Sequence, residues 1–212
     1  MAVQFSSAIL NTHIAPGVST FTAAEIPDMT GRFAESAHWI ANFFLNSAMS
    51  RSFAAPMNAY AYNFVRRAQY AFTEHELARG STLGFLQSNG QNVRRYADAL
   101  FHWEAFLGQS WHAINMLVVA WEGRAFNKDD GSLEQRLNAI YNQMKHVESR
   151  IDNNQLIAGA TVPVWLTNDG LQSVDCKLSY QETGDVLEQL GKYADALSNP
   201  ETAKAKLREL EA

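Results

Sequence analysis

Four polar side chains between Ser132 and Ile151 fall at helical spacing: Asn138, Asn142, His146 and Arg150, with Lys145 beside them. Residues four apart lie one above the other on a helix. The row is therefore a candidate binding groove, with His146 as its titrating and, in an enzyme, catalytic group. The alternative is a solvated helix face. Its opposite side carries Leu133, Leu137, Ile140, Met144, Val147 and Ile151, which step by four and three as a packing seam does. A second set lies earlier in the chain. Glu104 falls in line with the apolar Leu100, Leu107 and Trp111, and His112 and Asn115 follow it. A carboxylate among aromatic residues needs a partner or keeps its proton, so Glu104, His112 and Asn115 form a possible buried polar site. The alternative is that Glu104 bonds an Arg or Tyr of a neighbouring helix and fixes register.

Other chemistries find little to stand on. A paired-metal helical bundle needs Glu-x-x-His twice; the chain has Glu35-Ser-Ala-His38 once, opposite an apolar Phe33/Ile40/Phe44 side, so no metal is expected. Cys176 is the single cysteine, which excludes an internal disulfide and a cysteine-rich zinc site. Neither a nucleophile-elbow motif nor a glycine-rich phosphate loop is present, and no cofactor is expected.

The elements that must position these residues are helical for the most part. Thr30 caps an expected helix over 31–49, with Phe33, Ala37, Ile40, Phe44 and Ala48 on one face. Pro56 starts a second over 57–79, in which Tyr60, Phe64, Ala68, Ala71 and His75 share a face and Gly80 is the stop. After the turn pair Asn89-Gly90 comes the longest pattern, 91–122, with a seam of Val93, Ala97, Leu100, Leu107, Trp111, Ile114 and Val118, widened at its margin by Trp103, Phe106 and Trp121. It would span about 48 Å. Gly108 within it marks a kink or a close helix contact. Ser132 caps the helix that carries the polar row. Thr161–Thr167 and Leu171–Leu178 then read as two strands around Asn168-Asp-Gly170, the first kept to an edge by Pro163. Ser179 with Glu182 makes a capping box for a helix over 180–197, and Pro200 begins a last one. The fold class is mainly α: a bundle of about four long helices plus a small β-hairpin and one or two C-terminal helices. Residues 1–212 form a single domain, with an irregular arm (1–30), the bundle (31–152) and the hairpin with C-terminal helices (160–212).

Charge narrows the partners. The first 110 residues hold seven Arg, no Lys and seven acids; the remainder carries the net charge of −5. Apart from Arg66-Arg67 and Arg94-Arg95 there is no basic footprint of the kind that grips duplex DNA. No stretch is apolar enough to span a membrane, and the N-terminus lacks the basic flank of a signal peptide. With one cysteine, a cytoplasmic location is expected. Twelve Phe, seven Tyr and five Trp against 18% charged residues favour self-association, most simply as a homodimer.

On its late bundle helix, Tyr141-Asn-Gln-Met-Lys-His146 resembles the R-N-x3-H motif of the HEPN family. Members are small, helical and usually dimeric, and many cleave RNA with an Arg and His that meet across the dimer. The resemblance covers about residues 31–152. It implies that His146 matches the family His and Asn142 the polar residue after its Arg. Tyr141 stands where that Arg should be, and Arg136 is out of register. Tyrosine supplies no guanidinium for phosphate charge. The resemblance therefore implies a degenerate, non-enzymatic relative that binds a protein or single-stranded RNA partner. One alternative is a ribonuclease using His146 with Arg136 or Arg150; a second is a metal- or small-ligand-binding bundle.

Overall fold

The computed structural model describes residues 4–50 and 53–199, with 203 and 205, and at 49 and 50 the backbone alone. Its helices are α1 (Ser7–His13), α2 (Trp39–Ser50), α3 (Met57–Gln87), α4 (Val93–Ala120), α5 (Leu133–Lys145), α6 (Val147–Asp152) and α7 (Tyr180–Ser198). The strands are β1 (Trp165–Leu166), β2 (Gly170–Gln172) and β3 (Lys177–Ser179). The chain is mainly helical, with a bundle at its centre and a small antiparallel sheet on one side.

The frame is the α3–α4 hairpin. α3 does not stop at Gly80, contrary to the sequence reading. The residues beyond it, Thr82, Gly84 and Phe85, are buried, and that burial outweighs the roughly 1 kcal/mol that glycine costs a helix. The reversal comes at Asn89 (φ 55°) and Gly90 (φ 67°), the predicted turn pair. α4 runs almost as expected but is rotated. Its buried side is Tyr96, Ala99, Trp103, Phe106, Leu107, Ser110 and Ala113, so Trp103 and Phe106 are the middle of the seam rather than its margin. Ala97 is exposed. α3 claims the Trp103 side of α4, and α5 claims the side of Leu107 and Gly108.

Residues 30–38 form turns, and α2 begins only at Trp39. Phe33 causes the change, because its ring turns inward onto Gly191 of α7. A Cβ at Gly191 would lie 2.4 Å from that ring. The ring also packs edge-on against Trp39 (5.8 Å between centroids) and Phe72 (5.6 Å). Trp39 and Phe43 are the buried residues of α2, whereas Phe44 is 69% exposed. The expected face through Ala37 and Phe44 therefore points to solvent. The N-terminal arm is less irregular than expected. It contains α1 and a short turn at Val18–Thr20, and buries Leu10, Val18, Phe21, Ile26 and Met29 on the body. Asn168 Oδ1 accepts the Thr22 and Ala23 N–H groups (3.0 and 3.3 Å) and ties the arm to the sheet.

The sheet has three strands in the order β1-β2-β3, all antiparallel. The expected second strand is split by a turn in which Ser173 N–H donates to Cys176 O (2.8 Å). β1 is an edge strand, as expected, but it begins two residues after Pro163 and does not contain it. The β2–β3 pairing needs Gly170, because a Cβ there would collide with the backbone of Leu178 and Ser179. Ser179 and Glu182 form the predicted capping box of α7. The last helix expected from Pro200 lies outside the described residues, save Ala203 and Ala205.

α5 buries Leu137, Ile140 and Met144, the predicted seam. The helix then breaks at His146 (φ −116°, ψ 37°) instead of running to Ile151. α6 buries nothing and Ile151 is 55% exposed: the seam ends where the body beneath it ends.

Candidate functional site

The side of α4 that faces α5 carries the chemistry. The Tyr141 ring packs over Gly108, 3.5 Å from where a Cβ would be; that is an ordinary contact distance, so α5 packs on α4 here without requiring the glycine. One turn on, His112 Nε2 lies 3.2 Å from Tyr141 Oη, with the rings edge to face at 5.8 Å. Lys145 Nζ sits 5.9 Å from the Tyr141 ring centre, within cation–π reach. From α3, Arg67 Nη1 donates to Gln109 Oε1 (2.8 Å), and the adjacent Arg66 donates to Asn63 Oδ1 (3.0 Å).

The electrostatics of this junction are one-sided. Burial lowers the His112 imidazole below its ordinary proton affinity, and Arg67 and Lys145 lower it further. Burial likewise lowers the Arg67 guanidinium, with repulsion from Arg66 adding to it and Tyr141 opposing. Among the described residues no carboxylate pairs with Arg66, Arg67 or Lys145. In a chain of net charge −5, Arg67, with Arg66 beside it, and Lys145 make this face locally positive.

The predicted row is only partly assembled. Asn138 and Asn142 are half-buried and bonded to each other (Asn142 Nδ2 to Asn138 Oδ1, 3.1 Å). Lys145 ends α5, and His146 is exposed at the break. Arg150 stands on α6 and donates to Gln155 Oε1 (2.9 Å). Arg136 is ion-paired with Glu182 of α7, so neither arginine is directed toward His146.

The expected buried set is also dispersed. Glu104 is exposed, because the rotation of α4 moves it out of the seam. It stands at the rim of an apolar groove of about 150 Å³ that includes Leu100, Met144, Val147 and Val164, and burial against these walls raises its carboxyl. His112 is about 12 Å further along α4, and Asn115 is half-buried beyond it. Glu35 and His38 are exposed on the turn before α2, and among the described residues no three His, Cys, Asp or Glu side chains converge as a metal site would need. The Cys176 thiol is half-buried and pushed up by burial, which makes it a poor nucleophile.

Sequence reasoning missed Arg67, Gln109 and Tyr141 as members of one site. The Arg66-Arg67 pair was a local sign of it, but nothing in its spacing puts α3 beside Tyr141. No helix among the described residues is long and apolar enough to cross a membrane. No protein-family model matches the chain, and neither a curated protein nor a solved structure matches it.

Proposed function

We propose that the chain is a helical interaction module that binds a protein or single-stranded RNA partner through the face where α3, α4 and α5 meet. The observation that carries this reading is Arg67 and Lys145 beside the His112–Tyr141 pair, with no ion-paired acid among the described residues. An uncompensated patch of this kind raises the local concentration of an anionic partner and speeds its encounter. Asn138 and Asn142 extend the same face with amide groups suited to hydrogen bonding. Large exposed apolar side chains, Phe44, Leu45 and Phe101 among them, support self-association as a homodimer. A HEPN-like ancestry with Tyr141 in place of the family Arg accords with a binding rather than a cleaving role.

A second reading, an RNA-cleaving relative, is favoured by one observation. His112, held neutral near pH 7 by its surroundings, is paired with Tyr141 beside Arg67. That gives a proton acceptor and a phosphate-stabilising cation, and moves the catalytic role from His146 to His112.

The test is fluorescence polarisation with labelled single-stranded RNA, with capture of protein partners from lysate in parallel, on the wild type, R67Q/K145Q and H146A. The binding reading expects the double variant to lose RNA or a captured partner while H146A keeps it. Loss in H146A alone contradicts the placement of the face. RNA shortened by the wild type but not by H112A supports the cleaving reading. Light scattering at micromolar concentration decides the dimer.

A further inference from the structure

We infer that the α3–α4–α5 junction is a binding site for the dianionic phosphate of a phosphate monoester, held by Arg67, Lys145 and the His112–Tyr141 pair. This rests on reading that face as the binding face, and goes further by naming the group bound.

Three helices each contribute a donor. Arg67 is anchored by Nη1 to Gln109 at 2.8 Å, and its remaining N–H groups bond to nothing among the described residues. A guanidinium carries five donors in a fixed fork that matches phosphate oxygens. Lys145 adds an ammonium that stands 5.9 Å from the centre of the Tyr141 ring. His112 and Tyr141 share one hydrogen bond at 3.2 Å, which an oxyanion can reorganise by accepting from either group.

Charge favours a dianion. Arg67 and Lys145 supply two fixed positive charges, Arg66 beside Arg67 adds to the first, and His112 is titratable. A phosphate monoester carries about −1.5 to −2 near pH 7, which these charges balance better than they balance a carboxylate. Shape favours a terminal group. Arg67, His112 and Tyr141 are all half-buried, so a terminal monoester, whose phosphate projects beyond its parent, reaches them more readily than a diester within a strand. Nearby acids do not compete. Glu74 is two turns beyond Arg67 and is taken by His102 (2.8 Å), Glu104 lies about 12 Å back along α4 from His112, and Glu148 on α6 makes no ion pair with Lys145 among the described residues.

The groups facing His112 are Arg67 from α3 and Tyr141 and Lys145 from α5. A bound dianion offsets both cations, so proton uptake by His112 and anion binding reinforce each other. Sulfate stays dianionic across pH 5–8, so its affinity should rise steadily as pH falls through the His112 titration. A phosphate monoester loses its second charge near pH 6, so its affinity should pass through a maximum.

The experiment is isothermal titration calorimetry on the full chain at fixed ionic strength, with sodium sulfate, sodium phosphate and a chloride control. A 5′-nucleoside monophosphate and O-phosphoserine serve as separate arms for the two sources of monoester. One anion should bind per chain with a Kd of about 1 mM or tighter. R67Q and K145Q should each weaken it about tenfold or more, as loss of a charge-assisted contact implies. K145Q alters an exposed side chain and keeps the test valid should R67Q fold poorly. Tighter binding of one monoester arm identifies its source. Binding equal to chloride, or unaltered in K145Q and R67Q, overturns the inference. If these anions fail while RNA or a captured protein still binds through Arg67, the phosphate assignment falls and the binding face stands. If both fail, both fall.

Discussion

His75 and His112 lie on different sides of α4, and both have lowered proton affinity, for different reasons. His75 is fully buried, with Trp103 and Phe106 edge-on at 5.4 Å each. Thr183 Oγ1 donates to Tyr180 O (2.7 Å), so its lone pair accepts from His75 Nε2–H at 3.1 Å, and the other nitrogen is bare. That nitrogen lies 3.5 Å from Glu76 Oε1 without hydrogen-bond geometry. Burial lowers its proton affinity, and Glu76 partly restores it. His112 has burial, Arg67 and Lys145 all acting in one direction. A histidine that is enclosed and compensated holds a core together. One that is half-open and surrounded by unpaired cations has its compensation still to come, from outside.

The comparison breaks first on stability. Trp103→Ala, on the closed side, removes a fully buried ring and leaves Thr82 Oγ1 without its donor at 3.0 Å. Denaturant unfolding should show a loss of about 3–5 kcal/mol. Gly191→Leu should cost about 1–3 kcal/mol by displacing Phe33, and the same curves would show it; an unchanged midpoint would mean that the Phe33 ring is not seated there. Acid comes next. Both histidines have folded-state proton affinities below the unfolded value of about 6.5. Their contribution is therefore complete above that pH and is lost as pH falls below it, with a slope of up to about 1.4 kcal/mol per pH unit for each proton. Removing His75 as His75→Asn should flatten the slope measured between pH 7 and 5. Smallest is Tyr141→Phe, expected to cost about 1 kcal/mol or less while weakening sulfate binding. A larger loss would make the open side a structural one.

What could be read from the sequence was local. The Ser179–Glu182 capping box, the Asn89-Gly90 reversal and the Leu137/Ile140/Met144 seam each depend on neighbours within a turn or two. What escaped depended on distant partners. Gly80 looked like a stop because the burial of Thr82 and Phe85 cannot be read nearby. Phe33 fitted a helix face until Gly191, far along the chain, offered it a seat. The polar row around His146 had the right period, but the helix lost the body beneath it just there. The junction that replaces it joins residues from 67 to 145: His112 and Lys145 stand in separate candidate sets, Tyr141 in the motif resemblance and Arg67 in a basic pair, and nothing local joins them.

The most direct measurement is a pH titration of the ring resonances of His75 and His112 by two-dimensional NMR, with and without sulfate at constant ionic strength. Both should titrate below 6.5 in its absence. With sulfate, His112 should move upward by more than about half a unit and His75 should stay where it was. Equal movement of the two, or none at His112, would contradict the account.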